Sequence, residues 1–278
     1  MDASARNEQA RKAHLFRALH ESPGIFVIPN PWDAGSAKML ASLGYQALAT
    51  TSAGYAFSQG KADGALSLEE TLANVRAIVA ATDLPVAVDL ENGFADDPQE
   101  CAKSLLRAAE AGAVGGSIED ATGRADAPIY CFEHAVARIE AAVAAVRTLA
   151  FPFTFTARAE NYLHGNPDIN DTIRRLQAFA EAGADVLYAP GLRNAEEVLA
   201  VVRAVAPKPV NVLMSGGLQL AVQQLEDMGV RRVSTGSALA LAALGEFFRA
   251  AEEIRHSGTF GFTAQSMPYA KANQLFKG

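Results

Sequence analysis

The 278-residue chain is poor in several things, and each scarcity excludes something. It has two cysteines, Cys101 and Cys131, far apart and outside any Cys-x-x-Cys pair. That excludes a disulfide framework and a thiolate zinc site, and it fits a reducing, cytoplasmic compartment. Lys and Arg number 24 against 31 Asp and Glu, the net charge is −7, and no basic run occurs. No nucleic-acid partner and no anionic membrane surface are expected from such a balance. A small anionic ligand remains open, because one local Arg is enough to bind it. Long hydrophobic runs are also missing. The longest Ala/Val-rich stretch, 141–151, is broken by Arg147 and is too short for a bilayer. The first twenty residues mix charges and read as a helix, without the apolar centre of a signal peptide.

Apolar residues, by contrast, make up half the chain, and the mean hydropathy is +0.07. This excludes disorder. A chain of this length can bury roughly 75% of the surface it exposes when unfolded.

A pattern of about 30 residues repeats. Short β-branched or aliphatic runs recur as IFVIPN (25–30), ALATTS (47–52), PVAVDLEN (85–92) and VGGSIED (114–120). They continue as FTFTARAE (153–160), VLYAPG (186–191), PVNVLM (209–214) and RRVSTG (231–236). Ala-rich segments with helical spacing lie between most of them. Four of these end in the phrases SLGYQAL, EAGAVGG, EAGADVL and DMGVRRV, in which a Gly stops a helix just before a strand. Eight strand–helix units predict a (β/α)₈ TIM barrel. A doubly wound open sheet is the alternative, but no Gly-rich turn follows the first strand. No linker divides the chain, so 1–278 is expected to be a single barrel domain with 246–278 as a C-terminal helical extension. The tail carries Phe247, Phe248, Phe260, Phe262 and Phe276, too apolar to be left in water, and predicts docking.

Barrel chemistry is built at the carboxyl ends of the strands, where residues two apart share a face. Those ends offer Thr50 and Ser52, Asp89 and Glu91, Ser117 and Glu119, Thr156, Arg158 and Glu160, and Asn211. Any one of these could be an ordinary polar residue at the barrel mouth. As a set, Asp89, Glu91 and Glu119 would crowd one mouth and repel unless compensated. A divalent cation held by oxygen ligands, Mg²⁺ or Mn²⁺, is the simplest compensation. Arg158 suits two-point recognition of a carboxylate. None of the seven lysines falls at a strand end, which disfavours Schiff-base chemistry. His164 is the one histidine near the mouth, and Cys131 is as consistent with a helix start as with a reactive thiol. The Gly/Ser turns at 215–217 and 234–237 resemble barrel phosphate sites but are common in any barrel.

With VIPNPWDAGSAKMLASLGYQAL, TTSAGYAFSQGKAD, VDLENGF, SIED, TARAEN and VNVLM in this order, the chain resembles the isocitrate lyase/phosphoenolpyruvate mutase superfamily from about Gly24 to Leu244. The resemblance implies a (β/α)₈ barrel and a homotetramer, a dimer of dimers, in which a C-terminal helix is exchanged between subunits. It implies a metal held through Asp89, with Glu91, Glu119 and Asp63 taking hydrogen bonds from metal-bound water. Ser52 with the backbone of Ala53 and Gly54 would hold a substrate carboxylate, and Arg158 and Asn211 would touch the substrate. Glu91 stands where many members have Asp. The stretch ATGRADAPIYCFEHAV after the fourth strand lacks the catalytic Cys loop of the lyases and the Lys and Asn of the mutase, offering only Arg124. The resemblance therefore points to the oxaloacetate decarboxylase-like branch. The expected activity is a Mg²⁺-dependent carbon–carbon lyase or decarboxylase on a small 2-oxo or 2-hydroxy (di)carboxylate, through a pyruvate-like enolate. Phosphonomutase chemistry and a 2-oxo acid binder with little turnover are the alternatives.

Overall fold

The computed structural model describes residues 3–214 and 217–277. Eight parallel strands are arranged as β1 (Phe26–Ile28), β2 (Leu48–Ala49), β3 (Val86–Asp89), β4 (Gly115–Glu119), β5 (Thr154–Arg158), β6 (Val186–Tyr188), β7 (Val210–Leu213) and β8 (Arg232–Ser234). Each lies inside the run expected from the sequence, trimmed at its ends. The strands pair in the order β1-β8-β7-β6-β5-β4-β3-β2, all parallel. The fold is a (β/α)₈ TIM barrel with helices outside the ring.

β1 and β2 share no ladder, so the ring needs another closure. Ala49 N–H donates to Pro29 O at 3.1 Å. Asn30 then bridges three strand ends. Its Nδ2 donates to Thr50 O at 3.0 Å, and its Oδ1 accepts from the N–H groups of Thr235 and Gly236 at 2.9 Å each.

The four helix-ending glycines behave as their positions require. Gly44, Gly112, Gly183 and Gly229 have φ of +83°, +102°, +103° and +88°, where any other residue would be strained.

Two adjacent glycines show how tightly the layers pack. A Cβ on Gly115 would lie 2.7 Å from the Phe16 ring, and one on Gly116 would lie 3.2 Å from Leu105 on the helix side. Phe16 belongs to the helix Ala3–Glu21, which closes the amino end of the barrel with Ala13 against Phe26, Ile28, Ala47, Ala87 and Val114. The larger core lies between strands and outer helices, around Val88, Ile118, Phe153, Phe155, Leu105, Ile139 and Phe179.

After β8 a helix runs unbroken from Ala238 to Ser257, followed by a 3₁₀ turn Gly261–Gln265 and a helix Tyr269–Phe276. Phe247, Phe248, Phe260 and Tyr269 are exposed. No helix among the described residues is long and apolar enough to cross a membrane.

Candidate active site

The carboxyl ends of the strands surround a cavity of about 190 Å³, smaller than the roughly 300–1,000 Å³ of pockets for drug-sized ligands. Its wall includes Ser52, Ala53, Asp63, Asp89, Arg158 and Asn211.

Arg158 ends β5 with its guanidinium lodged among carboxylates. Nη1 reaches Asp89 Oδ1 at 2.8 Å, Nη2 reaches Glu119 Oε2 at 3.0 Å and Nε reaches Glu160 Oε1 at 2.8 Å. The register explains the meeting, because Glu119 and Arg158 are direct ladder partners. The Tyr188 ring, 5.1 Å from the guanidinium carbon, backs the cation from β6.

Asp89 is the junction. Its Oδ2 accepts from Ser52 Oγ at 2.8 Å and from Ser52 N–H at 3.3 Å, and its Oδ1 also accepts from Glu91 N–H at 3.3 Å. Ser52 begins the helix Ser52–Ser58, whose N-cap Thr51 takes the Gly54 N–H at 3.2 Å. Gly54 is therefore engaged below the wall, where a Cβ would come within 2.7 Å of Thr51 and 3.2 Å of Trp32. Ser52 and Ala53 line the cavity and Gly54 does not.

Negative charge is in excess. Asp63, Asp89, Glu91, Glu119 and Glu160 face one guanidinium. Burial pushes the Glu91 carboxyl up to about 7, with Asp89 and Asp63 adding to the shift. Burial likewise raises Asp63, then the charge of Asp89, and it drives Glu119 well above the usual carboxylate range against the pull of Arg158. Glu91 itself sits in the left-handed region at φ +49°, a strained conformation for a non-glycine residue. Its Oε1 is buried without a hydrogen-bond partner.

These features fit a sparsely held cation. No group of three or more His, Cys, Asp or Glu among the described residues forms a ready-made metal shell. Mg²⁺ does not require one, since it keeps several waters and takes one or two carboxylates with oxygens of the ligand. Asp89 and Asp63 on the cavity wall, with the unpartnered Glu91 oxygen, are the carboxylate donors available. Glu91 and Glu119 do not line the cavity wall, and Glu119 acts on it through Arg158.

Asn211 is fixed between two neighbours, donating through Nδ2 to Ser234 Oγ at 2.9 Å and accepting at Oδ1 from Arg232 Nε at 2.9 Å. Asn30, Tyr188 and Arg232 also line the cavity, and none was singled out by the sequence as a site residue, whereas Ser234, Gly236 and Ser237, which line it too, belong to the Gly/Ser turn at 234–237. Asn30 had a signal, since it closes the run IFVIPN. Cys131 is exposed at the N-cap of the helix Phe132–Val146. His164 lies in an exposed loop, and Ser215 and Gly216 fall outside the described residues. The stretch after β4 forms a short hairpin through the Ala121–Ile129 bridge, and Arg124 there pairs with Asp96 at 2.7 Å, away from the wall.

The eight-stranded barrel carries an acid-rich mouth around Arg158 at the carboxyl ends of its strands, the face where barrel enzymes carry out their chemistry. Residues 16–255 match the model of the phosphoenolpyruvate phosphomutase family, and the chain belongs to that family. It thus sits among the lyases and mutases of the isocitrate lyase/phosphoenolpyruvate mutase superfamily. A crystal structure of a Burkholderia cenocepacia J2315 protein, provisionally assigned as a lyase/mutase, is similar at 57% identity, TM-score 0.96 and 98% coverage of both chains. The structure of a 2,3-dimethylmalate lyase is similar at 26% identity and TM-score 0.85, covering 95% of this chain and 94% of that one. An oxaloacetate decarboxylase of Paraburkholderia xenovorans is 31% identical, over 74% of this chain and 69% of its own length.

Proposed function

We propose that the protein is a Mg²⁺- or Mn²⁺-dependent carbon–carbon lyase or decarboxylase acting on a small 2-oxo or 2-hydroxy carboxylate. The observation that carries this reading is the Arg158 fork, held by Asp89, Glu119 and Glu160 beside a buried Glu91 oxygen without a partner. The metal would be held through Asp89, with Glu91 and Asp63 as outer acceptors, and would act as a Lewis acid on the carboxylate and 2-oxo oxygens.

The chain's own residues supply the rest. Glu160 and Asp89 accept the Nε and one Nη1 hydrogen of Arg158, and Glu119 pairs with Nη2, so hydrogens on both terminal nitrogens remain. Those remaining donors can meet an oxygen that gains charge as the bond breaks, which is where electrostatic stabilisation has most effect. The Ala53 N–H, on the cavity wall, is assigned to the substrate carboxylate beside Ser52, whose own hydroxyl and N–H hold Asp89, and Asn211 to an oxygen further in. Gly54 contributes by letting that turn approach Trp32 rather than by donating to the ligand. Asp63 is the wall carboxyl assigned to exchange a proton with the reacting atoms.

Loss of CO₂ needs no protein acid in its bond-breaking step. This agrees with a site whose nearest thiols are Cys101, buried beneath Gly93, and Cys131, exposed on a helix start. Phosphonate chemistry is less well served, because Arg124 is tied to Asp96. The thiol-poor composition supports a cytoplasmic setting, and the exposed aromatic tail supports a homotetramer with exchanged C-terminal helices.

The test is a panel of 2-oxo and 2-hydroxy acids with Mg²⁺ or with EDTA, followed by proton NMR. Metal-dependent release of pyruvate or CO₂ from a member is expected. Binding without turnover would make the protein a 2-oxo acid receptor, and turnover of phosphonopyruvate alone would make it a mutase.

A further inference from the structure

Arg232 opens β8 with its side chain inside the ring, at the floor of the cavity, and is 6% exposed. Its three hydrogen-bond partners carry no charge. Nε donates to Asn211 Oδ1 at 2.9 Å, Nη2 to Thr156 Oγ1 at 3.0 Å, and Nη1 lies 3.2 Å from His20 Nε2. The other His20 nitrogen, Nδ1, lies 2.8 Å from the Phe16 carbonyl. A carbonyl only accepts, so Nδ1 carries the proton and Nε2 accepts from Arg232.

Among the described residues no carboxylate lies within ion-pair distance of this guanidinium. The other buried arginines are treated differently. Arg158 has three carboxylates, and Arg175 has Asp120 at 3.1 Å and Asp171 at 2.8 Å. Arg138 has no carboxylate either, but it is caged by the carbonyls of Asn92, Ala95 and Asp96 and by the Tyr130 ring, away from the cavity. A buried cation without a counter-charge is costly. Burial accordingly pulls the Arg232 guanidinium down to about 10. Arg232 is the buried cation that both borders the cavity and lacks an anion.

We propose that Arg232 receives a second anionic group of the ligand, so that the site selects small dianions over monoanions. This rests on the 2-oxo acid reading above, in which the first carboxylate lies near Ser52 and Arg158. Thr156, which Arg232 touches, and Arg158 are two residues apart on β5. That sets their levels about 6.6 Å apart along the strand, a separation comparable with a four-carbon diacid. Three of the five guanidinium N–H groups are used, and two remain for the anion.

The experiment is calorimetric titration, with Mg²⁺, of the full-length parent and Arg232→Gln with succinate, 3-phosphonopropionate, butyrate and oxaloacetate. The parent should bind a dianion at least 10-fold more tightly than butyrate, and Arg232→Gln should bind the dianions and butyrate alike. Whether succinate or phosphonopropionate is tighter identifies the anion as carboxylate or phosphonate. Equal binding of butyrate and both dianions by the parent, or a preference that survives in the variant, would overturn the proposal. A purely structural Arg232 would weaken all ligands alike. Should the variant fail to fold, a crystal of the parent soaked in succinate decides: a carboxylate on Arg232 supports the proposal, and both carboxylates elsewhere sink it. The functional reading fails separately, if oxaloacetate binds no better than succinate and is not turned over.

Discussion

Ser52 and Asp89 are locked together through both the Ser52 hydroxyl and its backbone N–H, at 2.8 and 3.3 Å from the same carboxylate oxygen. The pair joins the end of β2 to the end of β3. It also loads one oxygen of Asp89 with donors while the other serves Arg158 and Glu91 N–H. Asp89 is thereby held in one orientation.

Replacing that carboxylate should reveal its role. Asp89→Asn keeps the volume but removes the charge that Arg158 and a cation share. Mg²⁺-dependent binding of oxaloacetate or of another turned-over acid should disappear in calorimetry, while the circular dichroism spectrum stays that of the parent. Retained metal-dependent binding would move the site away from β3.

Arg158→Lys preserves the charge but cannot copy a fork engaged by three carboxylates at once. A loss of roughly 1.5–3 kcal/mol of transition-state stabilisation is expected, the size of a charge-assisted hydrogen bond. That is about a 10- to 150-fold fall in kcat/KM. Melting temperature should be measured on the same variant. A lower Tm with unchanged kcat/KM would mean that Arg158 merely holds the mouth together.

His20 predicts the acid side of the stability profile. Burial, and then the charge of Arg232, lower its pKa from 6.5 to about 3 in the folded chain. The unfolded chain therefore takes up a proton near pH 6.5 that the folded chain refuses. Stability from this group is complete above pH 6.5 and is lost as pH falls toward 3, at up to about 1.4 kcal/mol per pH unit. His20→Gln should flatten the Tm-against-pH curve between 6.5 and 4. A curve parallel to the parent's would remove His20 from the acid response.

The tail predicts the assembly. Phe247 and Phe248 are 72% and 63% exposed, unusual for adjacent phenylalanines on one helix. Light scattering should find the parent as a tetramer and Phe247→Ser/Phe248→Ser as a smaller species. A soluble double variant at the parent's mass would reject the tail as the assembly surface.

Six of the eight strands were legible because each combines an aliphatic or β-branched run with a glycine-ended helix before it or a polar pair at its end, while β1 and β7 were legible from their runs and the spacing of the repeat. Asp89 and Arg158 were legible for the same reason, each ending a strand at the level where the ring opens. Glu91 and Glu119 were expected at the mouth beside Asp89; Glu119 shares the Arg158 fork with Asp89 and the Glu91 N–H donates to Asp89, though neither side chain lines the cavity. Arg232 was hidden beside Arg231. In a three-residue strand one of two adjacent arginines must turn inward, and periodicity does not say which. Arg231 turns out, to the carbonyls of Ser22 and Gly24. Asn30 bonds to residues 20 and more than 200 positions away, a relation that no local pattern encodes.

The helix Ala3–Glu21 precedes the barrel in the chain yet closes it from beneath, with Phe16 against Gly115 and His20 against Arg232. The floor of the chamber is made by a helix that stands outside the eight strand–helix units. A substitution on the inner face of that helix, at Phe16 or His20, is in this protein an intervention directly underneath the chemistry.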